Sequence, residues 1–181
     1  MLSYNVADLL RSVPGTSRDY PFELPELVIA DDLAVAAPVR GTVHLANTGR
    51  GIIARGHLST ALPETCSRCL VATTTPVDLD FVEEALPSVD LDSGTPVSHA
   101  EEGTEVLLLD DHHELDLTGT VRDAISLAEP IVALCRPDCR GLCLVCGIDL
   151  NGDPSHSHGD DDIDPRLEAL LAIREQLDQP A

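Results

Sequence analysis

The stretch PVRGTVHLANTGRGIIARGHLS, residues 38–59, decides the fold. In its first half Val39, Gly41, Val43 and Leu45 alternate with Arg40, Thr42 and His44. In its second half Ile52, Ala54, Gly56 and Leu58 alternate with Ile53, Arg55, His57 and Ser59. A side-chain period of two puts the two sets on opposite faces of an extended chain. Between the halves lies Asn47-Thr48-Gly49-Arg50-Gly51, with glycine available where a tight turn needs positive φ. The stretch therefore predicts a β-hairpin with one apolar and one polar face.

Working outward, a third strand is expected at about 70–82, with Val71, Thr73, Thr75, Val77, Leu79 and Phe81 on one face. The three strands make an antiparallel meander, and Cys66-Ser67-Arg68-Cys69 falls at the turn between the second and third. Residues 86–104, rich in Pro, Ser, Gly and acid, read as an exposed loop, and 106–109 as a short strand. Residues 118–129 predict a helix with Val121, Ile125 and Ala128 on one face, ended by Pro130. After the polar stretch NGDPSHSHGDDDI (151–163), Asp164 and Pro165 suit an N-cap and a first helical position. Leu167, Leu170, Leu171 and Leu177 give that last helix an apolar stripe. The expected fold class is α+β: mainly an antiparallel β-sheet, a meander that could close in a barrel-like way, with a zinc-stapled Cys-rich segment and a C-terminal helix. The expected division is a β-rich zinc-binding domain over 1–150, an acidic and His-bearing linker over 151–163, and a helical tail over 164–181.

Composition narrows the function. The chain of 181 residues has no Trp, two Phe and two Tyr, so its core must be aliphatic. The net charge is −21 and unevenly placed. Residues 1–77 carry seven Asp/Glu against six Arg, a net of −1, and residues 78–181 carry 25 against five, a net of −20. Such a polyanion repels bulk nucleic acid, whose nonspecific affinity comes from phosphate neutralisation, and attracts basic proteins. The start, MLSYNVADLLRSV, has Asp8 within its apolar stretch and no basic region before it, a poor export signal. No apolar run approaches the ~20 residues that a membrane span needs. The expected location is cytoplasmic, where cysteines point to metal ligation rather than disulfides.

All six cysteines fall in two clusters: Cys66-x2-Cys69, and Cys135-x3-Cys139-x3-Cys143-x2-Cys146 followed by Gly147. A Cys-x-x-Cys turn brings two thiolates to one ion while backbone amides donate to the sulfurs, and a following glycine relieves the tight backbone. Zinc takes four such ligands in a tetrahedron. One ion needs four of the six. The first choice is Cys66, Cys69, Cys143 and Cys146, pairing the two knuckles and tying the sheet to the later segment. The second is Cys135, Cys139, Cys143 and Cys146, and the third Cys66 and Cys69 with Cys135 and Cys139. An iron–sulfur cluster would use similar ligands. A thioredoxin-like pair would need a helix after the Cys-x-x-Cys, and here a strand follows.

A closed four-thiolate site leaves no position for water or substrate, and GxxxxGK[ST], G-x-S-x-G, HExxH and GxGxxG are all missing from the sequence. The expectation is a protein that is not an enzyme. His156 and His158 could bind a metal but read as part of the polar linker, and His112-His113 as a solvated loop. Arg40, His44, Arg55 and His57 share the polar face of the hairpin and could contact rRNA phosphate, although no aromatics interleave with them.

The segments ETCSRCL (64–70), LCRPDCRGLCLVCGIDLN (134–151) and DIDPRLEAL (162–170), in this order and spacing, resemble the YceD family of large ribosomal RNA subunit accumulation proteins. The resemblance spans roughly residues 35–171, and the acidic six-cysteine form resembles the family's high-GC Gram-positive bacterial branch. It implies a role in accumulating 23S rRNA and hence in assembling the large ribosomal subunit, and genetic proximity to a small zinc-bearing ribosomal protein. It also implies metal ligation among Cys66, Cys69, Cys135, Cys139, Cys143 and Cys146. Leu144 stands where such knuckles commonly carry Pro, which alters turn stiffness rather than ligation. The expected function is an accessory, non-catalytic factor that binds a basic ribosomal protein, rRNA or a pre-large-subunit particle. Its rivals are a zinc-stabilised regulatory module that binds proteins and has no ribosomal role, and a thiol redox protein using Cys66 and Cys69.

Overall fold

A computed structural model describes residues 1–30, 33–99 and 106–158. The hairpin forms as its alternation demands: β5 (Ala37–Asn47) pairs antiparallel with β6 (Ile52–Thr65), His44 opposite Arg55 and Leu45 opposite Ala54. Gly49 takes φ of 89° in the connecting turn, where a Cβ would be strained. Val39, Val43, Leu45, Ile52, Ala54 and Leu58 are all at most 1% exposed. Arg40, Thr42, Arg55, His57 and Ser59 lie on the outer, polar face.

The third strand, β7 (Ala72–Pro87), pairs with β6 and runs further than its alternation predicts. Val77 and Phe81 are buried on the core side, as read from the sequence. Gly56 makes room there, because a Cβ on it would collide with the Phe81 ring. β2 (Ser17–Leu24) lines β5 on its other side and was hidden by Pro21. An edge strand tolerates a proline that a central strand would not. The same reasoning covers Pro76, since β8 (Leu107–Leu109) joins β7 only at Ala85–Pro87 and runs parallel to it.

The order β2-β5-β6-β7-β8 is an open sheet, so the barrel-like closure is not realised. Closure would require β8 to pair with β2, and β8 is three residues long. Instead other elements cover the inner face. They include α1 (Ala7–Leu10), the paired strands β1 (Ser3–Asn5) and β9 (Glu114–Asp116), and α2 (Thr118–Leu127). The strands β3 (Val28–Ala30) and β4 (Leu33–Ala34) form a further small pair. Leu9, Leu115, Leu117, Val121 and Ile125 join the sheet residues in one aliphatic core. Ala128, expected on the buried face of α2, is the exposed C-cap residue, and Ala124 packs against the core instead. Pro130 lacks an N–H and disfavours helical backbone before it, so the helix stops short.

The chain divides into two compact units. Of the described residues, one comprises those of 1–67 and 71–135 and holds every element above; the other comprises 68–70 and 136–158. The expected helix over 164–181 lies outside the described residues. Among the described residues, no helix is long and apolar enough to cross a membrane.

Candidate metal centres

The first Cys-x-x-Cys follows β6 directly, at the turn into β7 as the sequence predicts. Cys66 is fully buried, and its N–H donates to the Val71 carbonyl at 2.9 Å. Leu70 closes the turn in the left-handed region, φ 58°, a conformation uncommon for a residue with a Cβ. Cys139 is 1% exposed, its N–H donates to the Arg136 carbonyl, and Asn151 Nδ2 reaches its sulfur at 3.5 Å. Cys143 and Cys146 stand in a ligand group that holds none of the other four cysteines.

That group belongs to the second unit alone. Residues 143–148 form the knuckle that the Cys-x-x-Cys-Gly pattern predicts. The Cys143 N–H donates to the Ile148 carbonyl at 2.8 Å, and the Gly147 N–H to the Cys143 carbonyl at 2.9 Å with φ of 75°. The Cys146 and Val145 amides donate to the Cys143 sulfur and bring its pKa down to about 6, since hydrogen bonds to a thiolate favour the charged form. Facing the knuckle are two side chains read from the sequence as polar linker. Cys146 Sγ lies 3.2 Å from His156 Nε2 and 3.3 Å from His158 Nε2, and the two ring nitrogens are 2.9 Å apart. The ligand atoms of Cys143, Cys146, His156 and His158 are all within 4.8 Å of one another.

Local hydrogen bonds explain why a glycine- and aspartate-rich segment holds this shape. Asn151 Oδ1 accepts from the Arg140 N–H at 2.9 Å and from the Arg136 guanidinium at 2.7 Å. The Arg140 guanidinium donates to the Pro154 carbonyl at 3.0 Å. Asp153 Oδ1 then accepts from the N–H and hydroxyl of Ser155, which starts the turn into His156. The signal missed in the sequence is His-x-His ten residues past a knuckle; composition alone could not separate it from a solvated tether.

The group fits a soft or borderline divalent cation in its donors. Four thiolates, or two thiolates with two imidazoles, are zinc ligand sets, whereas calcium and magnesium take oxygen.

The polar face of the hairpin is more balanced than its basic residues suggest. Arg40 pairs with Glu23 at 2.9 Å, His44 with Asp19 at 2.7 Å, and His57 with Asp80 at 3.0 Å. Three of the four side chains expected to meet phosphate therefore already face carboxylates. His112 and His113 lie in the turn between β8 and β9, and neither belongs to a metal-ligand group among the described residues.

The profile of the large ribosomal RNA subunit accumulation protein YceD matches residues 54–174, which include all six cysteines, His156 and His158. The chain belongs to the YceD family. Among curated relatives, an uncharacterized protein of Mycobacterium tuberculosis is 31% identical over 128 residues, covering 70% of this chain and 58% of the relative. One of Mycobacterium leprae is 27% identical over 143 residues, covering 75% and 60%. A Zea mays protein named chloroplastic YCED homolog 1 is 47% identical over 38 residues, 21% of this chain and 13% of that protein. This YceD-family chain thus spans less than two thirds of the length of its mycobacterial relatives. No solved structure matches it.

Proposed function

We propose that this protein is a non-catalytic accessory factor in assembly of the large ribosomal subunit. In this reading it works in the cytoplasm and supports 23S rRNA accumulation by binding a basic ribosomal protein. Family membership supplies the ribosomal context. The observation that carries the molecular role is the charge split, −1 over residues 1–77 against −20 over residues 78–181. Acids of the second stretch stand in solvent: the side chains of Asp78, Asp80 and Asp111 are 73%, 84% and 74% exposed. Such a surface attracts cationic partners over a range set by ionic strength. The pairing of Arg40, His44 and His57 with carboxylates favours a protein partner over direct phosphate contact, which would first have to displace Glu23, Asp19 and Asp80.

Zinc is a structural ion in this reading; with Cys143 and Cys146 in a group of their own, the quartet that remains of those read from the sequence is Cys66, Cys69, Cys135 and Cys139. A four-thiolate set would fix the turns that carry it and leave no ligand position for a substrate. Affinity purification of the protein from its native cells, with proteins and RNA identified at physiological and raised salt, tests the function. The expected result is salt-sensitive recovery of large-subunit ribosomal proteins or precursor particles. Absence of both at physiological salt would leave the regulatory-module reading in its place.

A further inference from the structure

We infer that Cys143, Cys146, His156 and His158 form a second, independent zinc site of two thiolates and two imidazoles, so that one chain holds two zinc ions. The inference does not depend on the ribosomal role.

The contact pattern is the first argument. Cys146 Sγ and the Nε2 atoms of His156 and His158 are mutually 2.9–3.3 Å apart. Each neutral imidazole nitrogen can donate or accept but not both, and the thiol brings one proton. Three mutual contacts therefore cannot all be ordinary hydrogen bonds. A cation at their common centre satisfies every lone pair at once, with the sulfurs as thiolates and the rings neutral.

Distance and chemistry agree with this. Zinc bonds of about 2.3 Å to sulfur and about 2.0–2.1 Å to nitrogen, at the tetrahedral angle, give ligand–ligand edges of about 3.3–3.8 Å. The observed contacts are a few tenths of an ångström shorter, so an ion enters by spreading exposed side chains rather than by moving buried backbone. Cys146 and His158 are exposed, and Cys143 and His156 half-buried. No carboxylate stands among the four ligands, which favours zinc over magnesium, calcium or manganese. With all four positions taken by protein, the ion is structural.

Need is the third argument. Within residues 136–158 only Cys139 and Gly141 are buried, and Leu144 is fully exposed at 103%. A segment with so little apolar burial relies on cross-links to hold a fixed conformation.

Zinc reconstitution of the full chain, followed by native mass spectrometry, tests the inference. The wild-type chain should carry two zinc ions. The double variant His156→Asn/His158→Asn should carry one, and so should Cys143→Ser. The Cys66→Ser variant should also carry one, losing the other ion. Cobalt substitution gives a second readout: the His156→Asn/His158→Asn protein should lose the absorption of a mixed sulfur–nitrogen site and keep that of a four-sulfur site. A wild-type chain with one zinc or none, or a histidine double variant that still holds two, would overturn the second site. Recovery of ribosomal partners bears on neither outcome.

Discussion

In the sheet-bearing unit Val39, Val43, Leu45, Ile52, Leu58 and Leu62 show no exposed surface, while in residues 136–158 Leu144, Val145 and Ile148 face solvent. Burying one such aliphatic side chain contributes about 1.5–3 kcal/mol, so the sheet draws its stability from a core. The second region has backbone turns, an Asn151-centred hydrogen-bond set and a group of soft ligands, Cys143, Cys146, His156 and His158, in place of a core. One polypeptide thus has two means at hand of fixing a shape: water exclusion in one region and, in the reading proposed above, coordination in the other. They should fail under different insults.

Chelation should separate them most. Metal binding in small cysteine–histidine modules contributes on the order of 10 kcal/mol to their folding. Stripping zinc from the wild-type chain should abolish amide protection across residues 140–158 and leave it across β5 and β6. Hydrogen exchange with mass spectrometry reads both regions in one experiment, and equal loss in both would break the contrast. The converse is Leu58→Ala, which opens a cavity in the aliphatic core. It should cost about 2–5 kcal/mol in the unfolding of the sheet-bearing unit, while zinc bound to the native fraction stays at the wild-type count.

Asn47 sharpens the comparison, being a polar post within the apolar unit. It is 4% exposed, and its Nδ2 stands 2.9–3.1 Å from the carbonyls of Leu9, Leu10 and Ser12. Asn47→Ala removes a buried donor from all three carbonyls, of which Leu9's keeps its bonds from Ser12, and should cost about 1–3 kcal/mol, seen as a lower denaturant midpoint. The smallest effect belongs to the surface pair of Arg50 and Glu84, 2.5 Å apart. The hydrogen bond from Arg50 holds the Glu84 pKa below its ordinary 4.5. A depressed carboxylate pKa contributes stability above the unfolded value, which is lost as pH falls through the folded one. Arg50→Ala should therefore cost about 0.2–1 kcal/mol at neutral pH, and its difference from wild type should vanish on acidification below pH 4.5. A difference that persists there would assign the effect to packing of the Arg50 stem.

Legibility followed the range of each interaction. The hairpin, the buried face of β7, the position of the first Cys-x-x-Cys and the body of α2 were readable because a strand or helix writes its face into neighbouring residues. β2 was missed because Pro21 interrupts it, although Tyr20, Phe22 and Leu24 alternate around that proline. β1 and β9, three residues each, are too short to carry a period. At the candidate metal centres the cysteines were legible and the histidines were not: Cys143 and Cys146 meet His156 and His158, which read as polar linker.

Local sequence carried a three-stranded meander with an aliphatic inner face, an acidic second half and six thiols in two clusters at ligand spacing. Those properties rest on side-chain period, charge and the reach of a few bonds. Tertiary structure alone settled that the sheet stays open, that Arg40, His44 and His57 of its outer face meet acids, and that Cys143 and Cys146 group with His156 and His158. Each of those outcomes depends on where distant stretches of chain come to rest, and no local period encodes that path.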